Sequence, residues 1–428
     1  MRNRLFFAGL VLLLLCGRSA AQSMHAAESK YMTYKGLAMA GYQGWFNCEG
    51  DGADRKWTHY SKSGKFEDGS CTIDFWPAMD EYEVKYLTPF TFADGSPAYV
   101  FSSYDESTVD VHFRWMKEHG IDGVFMQRFF SVLTDATRKR HADKVLTSAI
   151  KAANKYEVAI SMMYDLGSME DYKHTLVKED WKHLVRDLHL TNQGENTTYL
   201  FHNQKPLVAF WGIGFSSRVS GHYPEILDIM DFVKNDSVYG GCSVQLGVPG
   251  RWRTLGSDTD GASTLHDVIK QADVIHPWLV GRYKESTYET WRKDYIVGDV
   301  EWCKAEGISY APTVFPGFSW YNLKDDEISD KIPRNKGEFL WKQVAGAVVS
   351  GAEMIYVAMF DEIDEGTAIF KCAHTVPEGI SIFVPCEKEV PSDHYLWLTG
   401  MAGKMLRAEI PYTRTMPVRE TGSKNDGY

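Results

Sequence analysis

The sequence predicts a (β/α)8 barrel with a long connection between the first strand and the first helix. Short apolar runs rich in β-branched and aromatic residues recur eight times, each closed by a polar or Gly/Pro break. Longer stretches with apolar residues at spacings of three and four stand between them. The rival α/β architecture, an open doubly wound sheet, wants a Gly-rich phosphate turn after an early strand, and the chain has no GxGxxG or Walker-type sequence.

Along the chain, residues 1–21 read as a secretory signal peptide. Met1-Arg-Asn-Arg4 is basic, 5–16 is apolar, and Ser19-Ala20-Ala21 offers small residues for cleavage. The apolar run is shorter than the roughly 20 residues a membrane span needs, and no later stretch reaches that length, so no span is expected. Leu15 stands before Cys16 where a lipidated cysteine wants a small neighbour, which favours a secreted or periplasmic protein over a lipid anchor. Residues 22–34 lead into one domain at 35–410, and a polar tail at 411–428 is expected to fray. Inside the domain the strands fall at 36–42, 123–127, 158–164, 207–211, 243–246, 274–278, 310–315 and 354–359. Helical periodicity is clear at 109–119, 138–156, 176–188, 289–306 and 338–349. The stretch from Gln43 to Val109 far exceeds an ordinary connection and belongs at the rim where barrel enzymes keep their sites; it holds Trp45, Trp57, His59 and Trp76.

Composition narrows the function. With 44% hydrophobic and 24% charged residues among 428, the chain is neither disordered, collagenous nor a disulfide-framed miniprotein. Its formal charge of −11 repels phosphate backbones and argues against nucleic-acid partners. Aromatic residues reach 14%, which suits flat, weakly charged ligands but also feeds a large core. Beyond the leader, Cys48 with Cys71 and Cys372 with Cys386 would close short polar loops as disulfides, while Cys242 and Cys303 sit in apolar segments as buried thiols. No CxxC or Cys/His spacing suggests zinc, no GxSxG elbow suggests an esterase, and no cofactor motif occurs. Asn196 and Asn235 open glycosylation sequons that matter only in a eukaryotic secretory host.

In a barrel, reacting groups sit at the C-terminal ends of the strands. Those ends offer Tyr42, Gln43 and Trp45, then Arg128, Tyr164 with Asp165, Trp211, Trp278 before Arg282, Trp320, and the acidic run Asp361-Glu-Ile-Asp-Glu365; Arg334 follows the seventh strand. Indoles pack on the C–H faces of sugar rings while guanidinium, amide and carboxylate groups bond their hydroxyls, so the predicted partner is an oligosaccharide or polysaccharide. Glycoside hydrolysis needs two carboxyl groups, and Glu362 and Glu365 would share one side if the chain turns helically there. Two close carboxylates also push one pKa upward, as a proton donor requires. Each of these residue types has a plain structural use as well: tryptophans fill cores, arginines bridge carboxylates, His276 beside Pro277 is most simply a satisfied core histidine, and an acidic run can be a solvated turn. Two rivals follow: a carbohydrate-binding protein on a retired barrel, and an enzyme whose second carboxylate is Asp165.

The segments Gly41-Tyr-Gln-Gly-Trp-Phe46, Gly120-Ile-Asp-Gly-Val-Phe125, Pro277-Trp-Leu-Val-Gly-Arg-Tyr283, Phe315-Pro-Gly-Phe-Ser-Trp320, Pro333-Arg334 and Ala358-Met-Phe-Asp-Glu-Ile-Asp-Glu-Gly-Thr367 resemble glycoside hydrolases of families 71 and 99. The likeness is to a secreted branch described as xylosidase/arabinosidase and runs from about Lys35 to about Cys372. It implies a cofactor-free barrel that cuts α-linked glycans. In family 99 a Glu-x-x-Glu-Gly motif carries the catalytic pair, which falls here on Glu362 and Glu365. The resemblance implies that Glu362 removes the sugar 2-hydroxyl proton to give a 1,2-anhydro intermediate with retention, and that Glu365 acts as general acid, then base. Ile363-Asp364 replaces the aromatic and histidine usual in that motif, and family 71 carries an aspartate at the first carboxylate position.

Overall fold

In the computed structural model, residues 23–62, 64–191, 196–217, 222–326 and 328–419 are described; the 1–21 leader with Cys16 lies outside them. Among these residues the strands are β1 (Ala38–Tyr42), β2 (Tyr86–Thr91), β3 (Pro97–Val100), β4 (Gly123–Phe129), β5 (Ala159–Asp165), β6 (Phe201–His202), β7 (Lys205–Trp211), β8 (Ser243–Pro249), β9 (Val274–Trp278), β10 (Ser309–Tyr310), β11 (Thr313–Val314) and β12 (Ile355–Val357). The helices are α1 (Glu106–His119), α2 (Phe130–Leu133), α3 (Ala136–Tyr156), α4 (Thr175–Arg186), α5 (Tyr223–Asn235), α6 (Thr264–Ile269), α7 (Glu285–Trp291), α8 (Val297–Glu306), α9 (Tyr321–Lys324), α10 (Glu338–Val349) and α11 (His394–Leu406). No helix among the described residues is long and apolar enough to cross a membrane.

The sheet runs β10-β9-β8-β7-β5-β4-β1-β12-β11, all parallel along this path. Its two ends are halves of one strand: β10 pairs with β9, and β11, three residues further along, pairs with β12. The sheet therefore closes into the (β/α)8 barrel that the alternation predicts. The seventh stave breaks at Ala311-Pro312 because proline has no N–H to donate; the Ala311 N–H bonds the Ile275 carbonyl at 2.8 Å, and the Pro312 carbonyl accepts from the Tyr356 N–H at 3.1 Å. Barrel strands are buried on both faces, so they read as unbroken apolar runs rather than alternations; every residue of β1 and β8 is buried. Inside, the Tyr356 ring lies tilted by 30° against His276 with centroids 4.0 Å apart, and Gln127 Nε2 donates to Tyr356 Oη at 2.9 Å. Gly41 leaves room for this plug: a Cβ there would stand 2.1 Å from Tyr356 Oη and 2.2 Å from Met359 Cε. His276 Nε2 lies 2.9 Å from Thr313 Oγ1, the core role its neighbour Pro277 suggested.

The helices differ from expectation in extent and in number. The predicted 289–306 helix begins at Glu285 and is interrupted by a wider π turn at Arg292–Ile296. α5 and α11, and the short α2, α6 and α9, are not among the expected helices. The N-terminus of α3 is closed by Asp135, whose carboxylate accepts from the N–H groups of Thr137 and Arg138 at 2.9 Å. The described part of the tail is tied down where Trp341 Nε1 donates to the Thr413 carbonyl at 3.2 Å and Arg419 pairs with Asp393.

The long first connection is folded, not stapled. It carries the antiparallel β2–β3 hairpin, and all six cysteines among the described residues are free, buried thiols, so the disulfides expected for Cys48/Cys71 and Cys372/Cys386 are absent. Aromatic packing takes their place: Phe46, Tyr60, Phe66, Trp76 and Phe90 form a chain of ring contacts with centroids 4.9 to 6.0 Å apart. Cys48 Sγ lies 3.2 Å from the Phe101 carbonyl within that cluster. Asn196 of the first sequon is buried and donates to the Leu190 carbonyl at 2.7 Å, whereas Asn235 is exposed.

α11 packs so closely on the end of α1 that a Cβ on Gly400 would meet the His119 carbonyl oxygen at 1.8 Å. Helix propensity alone would make Gly400→Ala stabilising by about 1 kcal/mol. Overpacking against rigid backbone outweighs it, and we expect a net loss of about 1–3 kcal/mol in urea denaturation; unchanged or increased stability would show that α11 is free to move away.

Candidate active site

β12 ends at Val357, and the chain then enters the acidic segment at the C-terminal mouth of the barrel. The segment does not turn helically. It makes a tight turn over 363–366 closed by Gly366 at φ +70°. The Glu362 carbonyl accepts from the N–H groups of Thr367 and Ala368 at 3.2 and 3.1 Å. Neighbouring loops pin the rest: the Ser319 N–H bonds the Glu365 carbonyl at 2.9 Å, and the Asp74 N–H bonds the Ile363 carbonyl at 3.0 Å. Arg334 Nη2 donates to the carbonyls of Gly366 and Ala368 at 3.1 and 2.6 Å, with its guanidinium 4.1 Å from the centre of the Phe75 ring. Arg334 thus shapes the turn from beneath and does not reach the cavity.

Three carboxyl groups of this segment are buried, and each is met by the loop after β1. Asp361 accepts from the backbone N–H groups of Gln43 and Gly44, both at 2.8 Å; burial nevertheless pushes it up to about 7. Glu362 is 3% exposed; Oε1 accepts from Gln43 Nε2 at 2.7 Å and Oε2 from the Thr367 hydroxyl at 2.6 Å. Burial first, then the charges of Glu365 and Asp364, raise Glu362 well above the ordinary glutamate range. Burial likewise raises Asp364, whose Oδ2 lies 3.1 Å from His59 Nδ1. Burial, then the Arg55 charge, lower His59 to about 3, so the imidazole enters this contact uncharged. The His59 ring in turn lies flat on Trp45, centroids 3.7 Å apart.

Glu362 and Glu365 line one cavity of about 980 Å³ together with Gln43, Trp45, Asp165, Trp211, Trp278, Arg282 and Trp320, nine of the thirteen residues expected at the site. Its walls are aromatic. Trp45 stacks on Phe129 at 5.4 Å, Trp211 meets Trp278 edge-on at 5.6 Å, and Trp320 lies 4.9 Å from Phe318. Asp165 Oδ1 accepts from the Gly167 N–H at 2.7 Å, and Arg282 pairs with Asp258, which also lines the cavity.

Strand parity explains which residues the sequence misplaced. β4 and β5 pair in register, Gln127 with Met163, Arg128 with Tyr164, and Phe129 with Asp165. Successive strand residues face opposite sides. Gln127, Met163, Phe129 and Asp165 line the cavity, while Arg128 and Tyr164 face the helix layer, where both bind Asp180 of α4. Arg128 also pairs with Asp143 at 2.8 Å; burial opposes its charge, but Asp180 and Asp143 outweigh that and raise its pKa. Tyr42 is buried by the same parity, one residue from Gln43, with Oη 2.9 Å from His112 Nδ1. The expected ligand contacts at Tyr42, Arg128, Tyr164 and Arg334 are therefore replaced by structural ones. Met163 and Tyr356 line the cavity unforeseen, Gln127 lines it from the strand end that also carries Arg128, and Asp361 and Asp364 are buried supports.

No protein-family model matches the chain, and no curated protein is similar to it. Among solved structures, a GH99 endo-alpha-mannosidase from Bacteroides thetaiotaomicron is similar to it with a TM-score of 0.60 at 15% identity, over 88% of this chain and 99% of that one. The structure of a GH99 endo-alpha-mannosidase from the same organism in complex with bis-tris-propane gives 0.59 at 16% identity over the same shares. A glycoside hydrolase-like protein gives 0.52 at 14% identity, over 77% and 92%. These likenesses show the fold: the chain has the (β/α)8 barrel found in glycoside hydrolases.

Asp361→Asn turns one acceptor into a donor facing the N–H of Gln43 or Gly44 and should cost about 1–3 kcal/mol. It should also alter the pH dependence. An acid whose folded pKa is raised binds its proton more tightly in the folded state, so its contribution is full below the ordinary aspartate value of about 3.9 and is lost as pH rises toward about 7. Urea titrations of both proteins across that window should show the wild type losing stability more steeply; parallel curves would mean that Asp361 does not titrate there.

Proposed function

We propose that the chain is a glycoside hydrolase that cleaves α-linked glycans with Glu362 and Glu365 as its catalytic pair. One observation carries the reading: both glutamates, from a single turn after the last barrel strand, line one aromatic-walled cavity at the mouth of the barrel. The fold shared with the endo-alpha-mannosidase structures supports it. With the 1–21 leader removed, the substrate is met outside the cytoplasm, in the medium or the periplasm.

The environment of Glu362 suits a base. Both of its oxygens accept hydrogen bonds, from Gln43 and Thr367, which orients the carboxylate. Its raised pKa makes the ionised form a stronger base than an ordinary glutamate, as proton removal from a sugar hydroxyl requires. In the proposed sequence Glu362 takes the 2-hydroxyl proton and the 2-oxygen attacks C1. The glycosidic bond breaks as Glu365 gives its proton to the leaving oxygen. Water, deprotonated by Glu365, then opens the 1,2-anhydro sugar at C1, and the 2-oxygen recovers its proton from Glu362, with net retention. The indoles of Trp211, Trp278 and Trp320 would pack on the sugar faces. A second reading gives Asp165 the role of one of the two carboxylates, and is favoured by its place on the same cavity wall.

Glu362→Gln and Glu365→Gln should each lower turnover by about 100- to 10,000-fold in a protein that still folds, measured as reducing ends released from α-mannans, α-glucans and pentosans. Near-normal rates in either would remove that residue from the mechanism, and loss confined to Asp165→Asn would favour the second reading. If the protein binds these glycans but no variant or condition releases ends, it is a carbohydrate-binding barrel.

The rate should fall as pH drops through the raised pKa of Glu362, well above the ordinary glutamate value. Thr367→Val removes a donor that favours the ionised form, so the acidic limb of the pH–rate profile should move to higher pH. A limb that stays in place would mean that another group sets it.

A further inference from the structure

A second cavity, of about 360 Å³, adjoins the one that holds the glutamates; Gln43, Trp45, Gln127 and Phe129 line both. The two differ in charge. Into the smaller one come Arg55, from the long first connection, and Arg138, from the first turn of α3. Neither guanidinium has an ion pair or a hydrogen-bonded acceptor among the described residues. The nearby acids are engaged elsewhere. Asp51 accepts from Asn47 Nδ2, the Cys48 and Ala53 N–H groups and the Ser102 hydroxyl at 2.7 to 3.0 Å, and Asp135 caps α3. A third guanidinium on the wall, Arg128, is committed to Asp180 and Asp143. Arg55 is half-buried; burial first, then the Arg138 charge, pull it down to about 10 against the opposing charges of Asp51 and Asp135.

Arg55 and Arg138 stand near one another with the charges of Asp51 and Asp135 in range but no carboxylate among the described residues bonded to either guanidinium, so both forks are open to a further anion. The planar fork of arginine matches the oxygens of a carboxylate, sulfate or phosphate group. Because the cavities share Gln43, Trp45, Gln127 and Phe129, a sugar in the smaller one would be a near neighbour of a sugar beside Glu362 and Glu365.

We propose that the smaller cavity is a subsite for an acidic sugar, whose oxyanion substituent is held between Arg55 and Arg138. The role of this sugar as part of a substrate rests on the hydrolase reading given above; its binding does not. The substrate class is then an α-linked glycan carrying uronic acid, sulfate or phosphate ester groups.

The test is binding to the full mature chain at constant ionic strength, followed by tryptophan fluorescence and calorimetry. The probes are glucuronic acid, N-acetylglucosamine 6-sulfate and mannose 6-phosphate, with glucose and mannose as neutral controls. At least one acidic sugar should bind about tenfold or more tightly than the neutral ones, and which one does identifies the anion. Arg55→Gln and Arg138→Gln should each weaken that binding by about tenfold while neutral sugars bind as before. Arg138 is exposed on α3, so its variant keeps the test open if Arg55→Gln fails to fold. Acidic sugars that bind no better than neutral ones, no saturable binding of any acid, or full binding by folded Arg138→Gln would each overturn the proposal. Reducing ends measured beside the titration separate the two readings: acidic sugars that bind while no glycan is cut leave the subsite standing and remove the hydrolase reading.

Discussion

Everything at the mouth of the barrel depends on burying three carboxyl groups in one short turn without leaving them bare. Taking a carboxylate out of water costs several kcal/mol unless donors replace the water. The donors come from the other end of the chain: Gln43 gives its backbone N–H to Asp361 and its side-chain amide to Glu362, Gly44 gives a second N–H to Asp361, and His59 meets Asp364. Because β1 and β12 are neighbours in the barrel, these bonds stitch its first and last units together at the site. A break in this stitch would leave buried donors and buried acids unsatisfied together, so the geometry of Glu362 is coupled to the closure of the fold.

The strands were legible because a barrel stave buried on both faces leaves an uninterrupted apolar run, and eight such runs separated by helical periodicity admit few arrangements. Residues at strand ends were legible as a group but not one by one. Gln127 and Arg128 are adjacent, and only their parity in β4, fixed by the register with β5, sends one into the cavity and the other to Asp180. A single sequence fixes the end of a strand only to within a residue or two, which is the difference between inward and outward. Arg334 was misread for another reason: it supports the acidic turn through backbone carbonyls, a role with no sequence motif. Asp361 and Asp364 looked like solvated turn acids because their donors lie more than 300 positions away in the chain.

The same limit applies to the cysteines. Their spacing in polar, Gly-rich segments suggested staples, but the rings that bury them are scattered along the chain, and their packing emerges only once the first connection folds back on itself. Aromatic excess had two readings, ligand binding and core, and the chain uses both. Phe46, Tyr60, Phe66 and Trp76 are interior, while Trp45, Trp211, Trp278 and Trp320 are half-buried around the cavity.

That aromatic cluster ties the first connection to the barrel. Swinging the first connection outward would expose a continuous layer of ring faces and strip Asp361 of both amide partners, a penalty comparable to unfolding part of the barrel. On this side of the mouth the wall is consequently fixed by packing within the fold itself, as much a part of the core as of the rim.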